Sequence, residues 1–117
     1  GRQLDAENIE EEDFTRYWEH ATLMDPEVFV PMLEHAGRHD ARGFLGEVRV
    51  PTLVVAAEND TFTPMPLAEE MAGAIPEAEL EVIEGASHAA PVEQPALISD
   101  RIEDFLSSRL GLDRARA

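Results

Sequence analysis

Val50-Pro51-Thr52-Leu53-Val54-Val55-Ala56-Ala57 is the stretch on which the fold turns. It is a continuous apolar run without the in-out alternation of a strand that has one wet face. Such a run predicts a parallel strand covered on both faces. Pro51 falls at its start, where a missing N–H costs least. Downstream, residues 65–74 predict a helix, because Leu67, Met71 and Ile75 recur every four residues. Residues 79–83 predict a second short strand, and Gly85-Ala86-Ser87-His88 a loop. Residues 95–110 carry the clearest helical stripe, with Leu97, Ile98, Ile102, Phe105, Leu106 and Leu110 on one side and Gly111 placed to end it.

Upstream of the run the pattern is helical. Residues 8–24 keep near-helical spacing through Ile9, Phe14, Trp18, Ala21 and Leu23. Asp25-Pro26 is a stop and restart, since Asp25 suits a cap and Pro26 a first helical position. A second helix to about Arg38 sets Phe29, Met32, Leu33 and Ala36 on one face, with Pro31 expected to kink it or divide it in two. Gly43 and Gly46 bracket an irregular link. The second half is therefore strand-helix-strand-helix, with parallel strands. Parallel strands deliver their following loops to one edge of the sheet, where functional groups of open α/β sheets gather. The loop after the first strand holds Asp60 and the loop after the second holds His88, so topology alone brings a carboxylate and an imidazole to one rim.

Composition narrows the setting. The 117 residues suffice for one small domain, and 44% of them are hydrophobic, enough for a packed core. No apolar run reaches the roughly 18 residues of a membrane span, and no basic-then-apolar leader opens the chain. Gly1-Arg2-Gln3 is read as a tag remnant or a cut point. The formal net charge of −16 repels phosphate backbones and anionic lipid, which argues against nucleic acid and membrane surfaces as partners. With no cysteine there are no disulfides or thiolate metal sites, and a cytoplasmic location is expected. All nine basic residues are arginine, read as the codon bias of a GC-rich genome. Asp5, Glu7, Glu10, Glu11, Glu12 and Asp13 crowd the beginning and read as a solvated face rather than a dock for a basic partner.

The segment Pro51-Thr52-Leu53-Val54-Val55-Ala56-Ala57-Glu58-Asn59-Asp60-Thr61-Phe62-Thr63-Pro64 resembles the part of α/β-hydrolases that ends in the acid of a Ser-His-Asp triad. Ile83-Glu84-Gly85-Ala86-Ser87-His88-Ala89-Ala90-Pro91-Val92-Glu93-Gln94-Pro95 resembles the part that carries the triad histidine, and Asp104-Phe105-Leu106 ends a helix like the last one of that fold. The likeness covers roughly residues 40–110. It implies the fold class, α/β, as the C-terminal part of an α/β-hydrolase: a parallel strand-helix-strand-helix core segment over 46–117, preceded by a helical lid remnant and link over 1–45. It also implies roles. Asp60 orients the imidazole and stabilises its charged form, and His88 takes a proton from a nucleophile and later returns it.

The family's nucleophile sits on a Gly-x-Ser-x-Gly turn ahead of the lid. None of Ser87, Ser99, Ser107 and Ser108 has glycines two positions away on both sides. Ser87 adjoins His88 but is not taken as the attacking group. The oxyanion-hole segment is also expected upstream, so the chain alone is expected to be inactive.

Singly, Asp60 reads as a helix cap and His88 as a surface or capping group; their joint placement carries the functional reading. Thr63 and Pro64 read as the start of the following helix, and Glu93 and Pro95 as residues that fix the turn after His88. His35 and His39, four apart beside Asp40, have a spacing that can bind a metal. A polar face at the end of a lid helix is preferred, so no metal and no cofactor is expected. Phe14, Trp18, Met24, Phe29 and Met32 read as lid packing, with an acyl pocket as the sharper option. The expected function is hydrolysis of a small ester-like substrate through an acyl-enzyme, completed by an N-terminal half. The alternative is a non-catalytic remnant that serves as a dimerisation or binding module and pairs with a second copy.

Overall fold

The structure is a computed structural model that describes residues 9–112. Asp5, Glu7, the opening Gly1-Arg2-Gln3 and the Arg-rich tail lie outside the described residues.

Two helices come first. Helix α1 (Glu11–Thr22) opens with Glu11, Glu12 and Asp13 in its first turn, where negative charge meets the positive end of the helix dipole. Helix α2 (Pro26–Arg38) begins as its sequence dictates: the Asp25 side chain accepts the Glu27 N–H at 2.9 Å and Pro26 occupies the first turn. Pro31 does not divide α2, contrary to one expectation, and the helix runs through it unbroken. The carbonyl that loses its partner there belongs to exposed Glu27 in the first turn, where water can replace the bond.

A single 3-10 turn (Leu45–Glu47) leads into strand β1 (Thr52–Ala57), helix α3 (Met65–Ala74) and strand β2 (Ala78–Ile83). The strands pair in parallel from Thr52↔Ala78 to Ala57↔Ile83. A short helix α4 (Ala90–Glu93), absent from the sequence expectation, precedes α5 (Pro95–Leu110). Gly111 ends α5 at φ 63°, with its N–H on Ser107 and the Leu112 N–H on Leu106, the paired closure that a left-handed glycine permits.

The pleat sorts the sheet residues into two faces. Leu53, Val55 and Ala57 share a face with Glu79, Glu81 and Ile83. On that face Ala57, Ile83, Ala86 and Ala90 form the core cluster, and Leu97 and Ile98 of α5 pack against it. Further along, Arg101 of α5 pairs with Glu81 at 3.0 Å and Arg109 with Glu79 at 3.3 Å. Helix α3 packs against both strands, and Val54 and Ala56 are buried on the other face.

Burial on both faces is nevertheless incomplete. Val55 stays 39% exposed, and Leu67 and Met71 of α3 border a groove along the free edge of β1. Neither α1 nor α2 contains a buried residue; Trp18 is 61% exposed and Met32 54%. Two strands give too little sheet to cover this much apolar helix surface.

Ile83 is the largest side chain that is fully buried among the described residues. An Ile83→Val variant should lose about 1 kcal/mol of stability through the vacated methyl space, read by urea unfolding; an unchanged midpoint contradicts this account of the core.

Candidate active site

The last hydrogen bonds of the sheet continue into the two loops that leave it. The Glu58 N–H donates to the Ile83 carbonyl at 3.1 Å and the Asn59 N–H to the Ala86 carbonyl at 2.9 Å. Gly85, at φ 69°, turns the second loop back over the rim, a conformation that suits a residue without Cβ. Its N–H donates to the Glu58 carboxylate at 2.8 Å. The loops are therefore laced together before either reaches its functional side chain.

Asp60 and His88 then meet: Asp60 Oδ2 lies 3.0 Å from His88 Nδ1. Each Asp60 oxygen has a separate task. Oδ1 accepts the N–H groups of Phe62 and Thr63, at 2.8 and 2.9 Å, and so closes the turn before α3. Oδ2 accepts the Thr63 hydroxyl at 2.7 Å and faces the imidazole. The turn N–H groups and the imidazole thus meet different oxygens of this aspartate.

Electrostatics follow from those donors. Burial works against the carboxylate charge, but the Thr63 N–H, His88, the Thr63 hydroxyl and the Phe62 N–H outweigh it. They hold the Asp60 carboxyl at about 2, below its ordinary 3.8. An ionised carboxylate only accepts, so His88 Nδ1 carries the hydrogen and a neutral ring keeps its lone pair on Nε2. The Asp60 side chain is 9% exposed and that of His88 45%, which puts the carboxylate inside and the imidazole at the surface. The Phe62 ring stands 5.1 Å from the imidazole, tilted by 48°.

Other candidates fall elsewhere. Ser87 is 5% exposed and its hydroxyl donates to Glu93, so it does not face outward beside His88. His35 lies in the last turn of α2 and His39 caps it, while Asp40 accepts the Arg42 N–H at 3.0 Å. Among the described residues no group of three or more histidine or acidic side chains stands where it could hold a metal ion, and no helix is long and apolar enough to cross a membrane. Sequence reasoning missed Glu58, Phe62 and the Thr63 hydroxyl. Thr63 had a partial signal, since an aspartate ahead of a helix start closes a turn on its own oxygens and Thr63 lies within that turn. The Glu58 and Phe62 contacts depend on how the two loops stack and had none.

Asp60 titration should be visible in stability. A carboxyl depressed in the folded state contributes stability that is complete above its unfolded value near 3.8 and is lost as the pH falls through about 2. Denaturant unfolding of the natural chain and of Asp60→Asn should therefore show an advantage for Asp60 that shrinks across that window. An advantage independent of pH there contradicts the depressed carboxyl.

Comparisons with known proteins bear on the family and the fold. A family profile for TAP-like proteins of the α/β-hydrolase (Abhydrolase) group matches residues 29–109. The uncharacterized carboxylesterase nap of Bacillus subtilis is 30% identical over 71 residues, 60% of this chain and 24% of that protein. Among solved structures, the α/β-hydrolase MGS-MChE2 from a Mar Chica lagoon metagenome superposes with a TM-score of 0.66 at 27% identity, covering 85% of this chain and 46% of that one. CarC, a serine hydrolase involved in carbazole degradation, gives 0.61 at 30% identity over 65% of this chain and 30% of its own. The chain spans about a quarter of the length of the curated relatives it matches. From the profile match together with these folds, the chain belongs to the α/β-hydrolase family, within its TAP-like group.

Proposed function

We propose that this chain is the C-terminal portion of an esterase-like α/β-hydrolase and supplies two members of a Ser-His-Asp triad. The observation that carries the reading is the Asp60 Oδ2 to His88 Nδ1 contact at 3.0 Å on the rim shared by two parallel strands. In this mechanism Asp60 fixes the tautomer, and His88 Nε2 takes the proton of a serine hydroxyl as the hydroxyl attacks an ester-like carbonyl. His88 then protonates the leaving group and later activates the water that releases the acid. The serine and the oxyanion-hole donors come from a segment outside these 117 residues, because no serine here has the Gly-x-Ser-x-Gly setting. Residues 1–45 belong to the lid of the whole enzyme, and residues 46–117 to its core. No metal or cofactor takes part. The serine hydrolase and carboxylesterase likenesses support this class of substrate.

A fluorophosphonate probe tests the reading. The chain alone should stay unlabelled, whereas the chain joined to an upstream half bearing the Gly-x-Ser-x-Gly turn should be labelled at that serine. In the joined protein His88→Ala should slow labelling at least about 10³-fold, and Asp60→Asn should lower ester turnover about 10⁴-fold. Labelling of the lone chain overturns the proposal.

The open edge of β1 favours a second reading, in which the chain acts as a pairing module without catalysis. β1 has one partner strand among the described residues, and the groove beside its other edge is lined by Leu53, Val55, Leu67 and Met71. Such an edge is a template for another chain. On either reading, sedimentation of the isolated chain in dilute solution should show self-association or poor folding; a rigid monomer counts against it.

A further inference from the structure

Glu93 stands apart from every other acid of the described chain. It is 6% exposed as a whole residue, the least of any charged residue described. Taking a carboxylate out of water is costly unless donors replace the lost hydration. Ser87 supplies two such donors: its N–H meets Glu93 Oε2 at 2.8 Å, and its hydroxyl donates to Oε1. Ser87, itself buried, is the residue immediately before His88.

We infer that Glu93 is a positioning residue, which fixes the backbone from which His88 projects and so keeps Nδ1 on Asp60. The inference rests on the reading of His88 as the base. Its physical basis is the reach of a carboxylate. Two acceptor oxygens grip both donors of Ser87 at once, and a carboxylate has no proton to offer in return. The Ser87 hydroxyl is thereby committed inward, while its oxygen accepts the Ala89 N–H at 3.3 Å on the far side of His88. The loop is held at every residue from 85 to 88: Gly85 on Glu58, Ala86 on the Asn59 N–H, Ser87 on Glu93, and His88 on Asp60. Glu93 is the clamp on the residue immediately before His88. A contact of 3.0 Å between Nδ1 and Oδ2 does not survive a displacement of about 1 Å, which lies outside hydrogen-bond range. Small losses of alignment are what a positioning group prevents.

Nitrogen-15 labelled histidine in the chain joined to an upstream half bearing the Gly-x-Ser-x-Gly turn gives a readout that does not need turnover. At neutral pH His88 should populate the Nδ1–H tautomer, with a proton that exchanges slowly. In Glu93→Ala that preference should fall toward an even mixture, and exchange of the Ser87 amide should rise by about 10- to 100-fold, the factor expected for losing a hydrogen bond to a charged group. Glu93→Gln, whose carbonyl still accepts the Ser87 N–H, should restore most of the tautomer preference. Should Glu93→Ala not fold, Ser87→Ala, which removes only the hydroxyl arm, should shift the tautomer in the same direction. A folded Glu93→Ala, or in its place a folded Ser87→Ala, with His88 identical to the natural chain overturns the inference. Asp60→Asn separates the two levels. If it leaves the tautomer unmoved, the Asp60–His88 reading itself fails. If it shifts the tautomer while Glu93→Ala does not, only the role of Glu93 falls.

Discussion

Parallel pairing of two six-residue strands is the constraint from which the rest of this molecule follows. Antiparallel strands would send their outgoing loops to opposite edges. Here Ala57 and Ile83 end side by side, and the chain must leave the sheet twice at the same place. Continued backbone bonding from Glu58 and Asn59 to Ile83 and Ala86 carries the register into the loops. The separation of 28 positions between Asp60 and His88 is thereby reduced to one hydrogen bond. Nothing in the local propensity of either segment would do this alone.

The aspartate shows how a helix-start turn and an imidazole share one side chain. A carboxylate that only capped the turn before α3 would need one oxygen, and Oδ1 serves there. The second oxygen is left to the imidazole and the Thr63 hydroxyl. The same donors that close the turn keep the group ionised, and ionisation dictates which histidine nitrogen bears hydrogen. Local folding and imidazole orientation are therefore one electrostatic problem with one solution.

Much of this was legible in the residues themselves. The apolar run at 50–57, the four-residue spacing of Leu67, Met71 and Ile75, and the long stripe from Leu97 to Leu110 placed the strands and helices within a residue or two, because periodicity is set by backbone geometry. Asp25-Pro26 and Gly111 marked helix ends for equally local reasons. Asp60 and His88 were recoverable from topology. Other features were not. Helix α4 is a single turn, too short to show a period. Continuity of α2 through Pro31 depends on the solvent at its first turn. Coverage of the sheet was overestimated, since a sequence run states what a strand requires on each face and not what a chain of this length supplies. The Glu58 clasp and the Phe62 ring beside His88 arise from loop stacking, which leaves no pattern along the chain.

The crossover helix α3 lies between the two functional loops in sequence, yet no bond of the Asp60–His88 contact is made to residues 65–77. Its return at the amino ends of the strands, near Pro76 and Glu77, is the part of the unit most remote from the rim. Lineages that lengthen, shorten or redecorate that return would leave the carboxylate and imidazole undisturbed. The separation uncouples drift in the scaffold from the geometry at the rim, and lets a descendant explore new outer surfaces while inheriting the same Asp60–His88 contact.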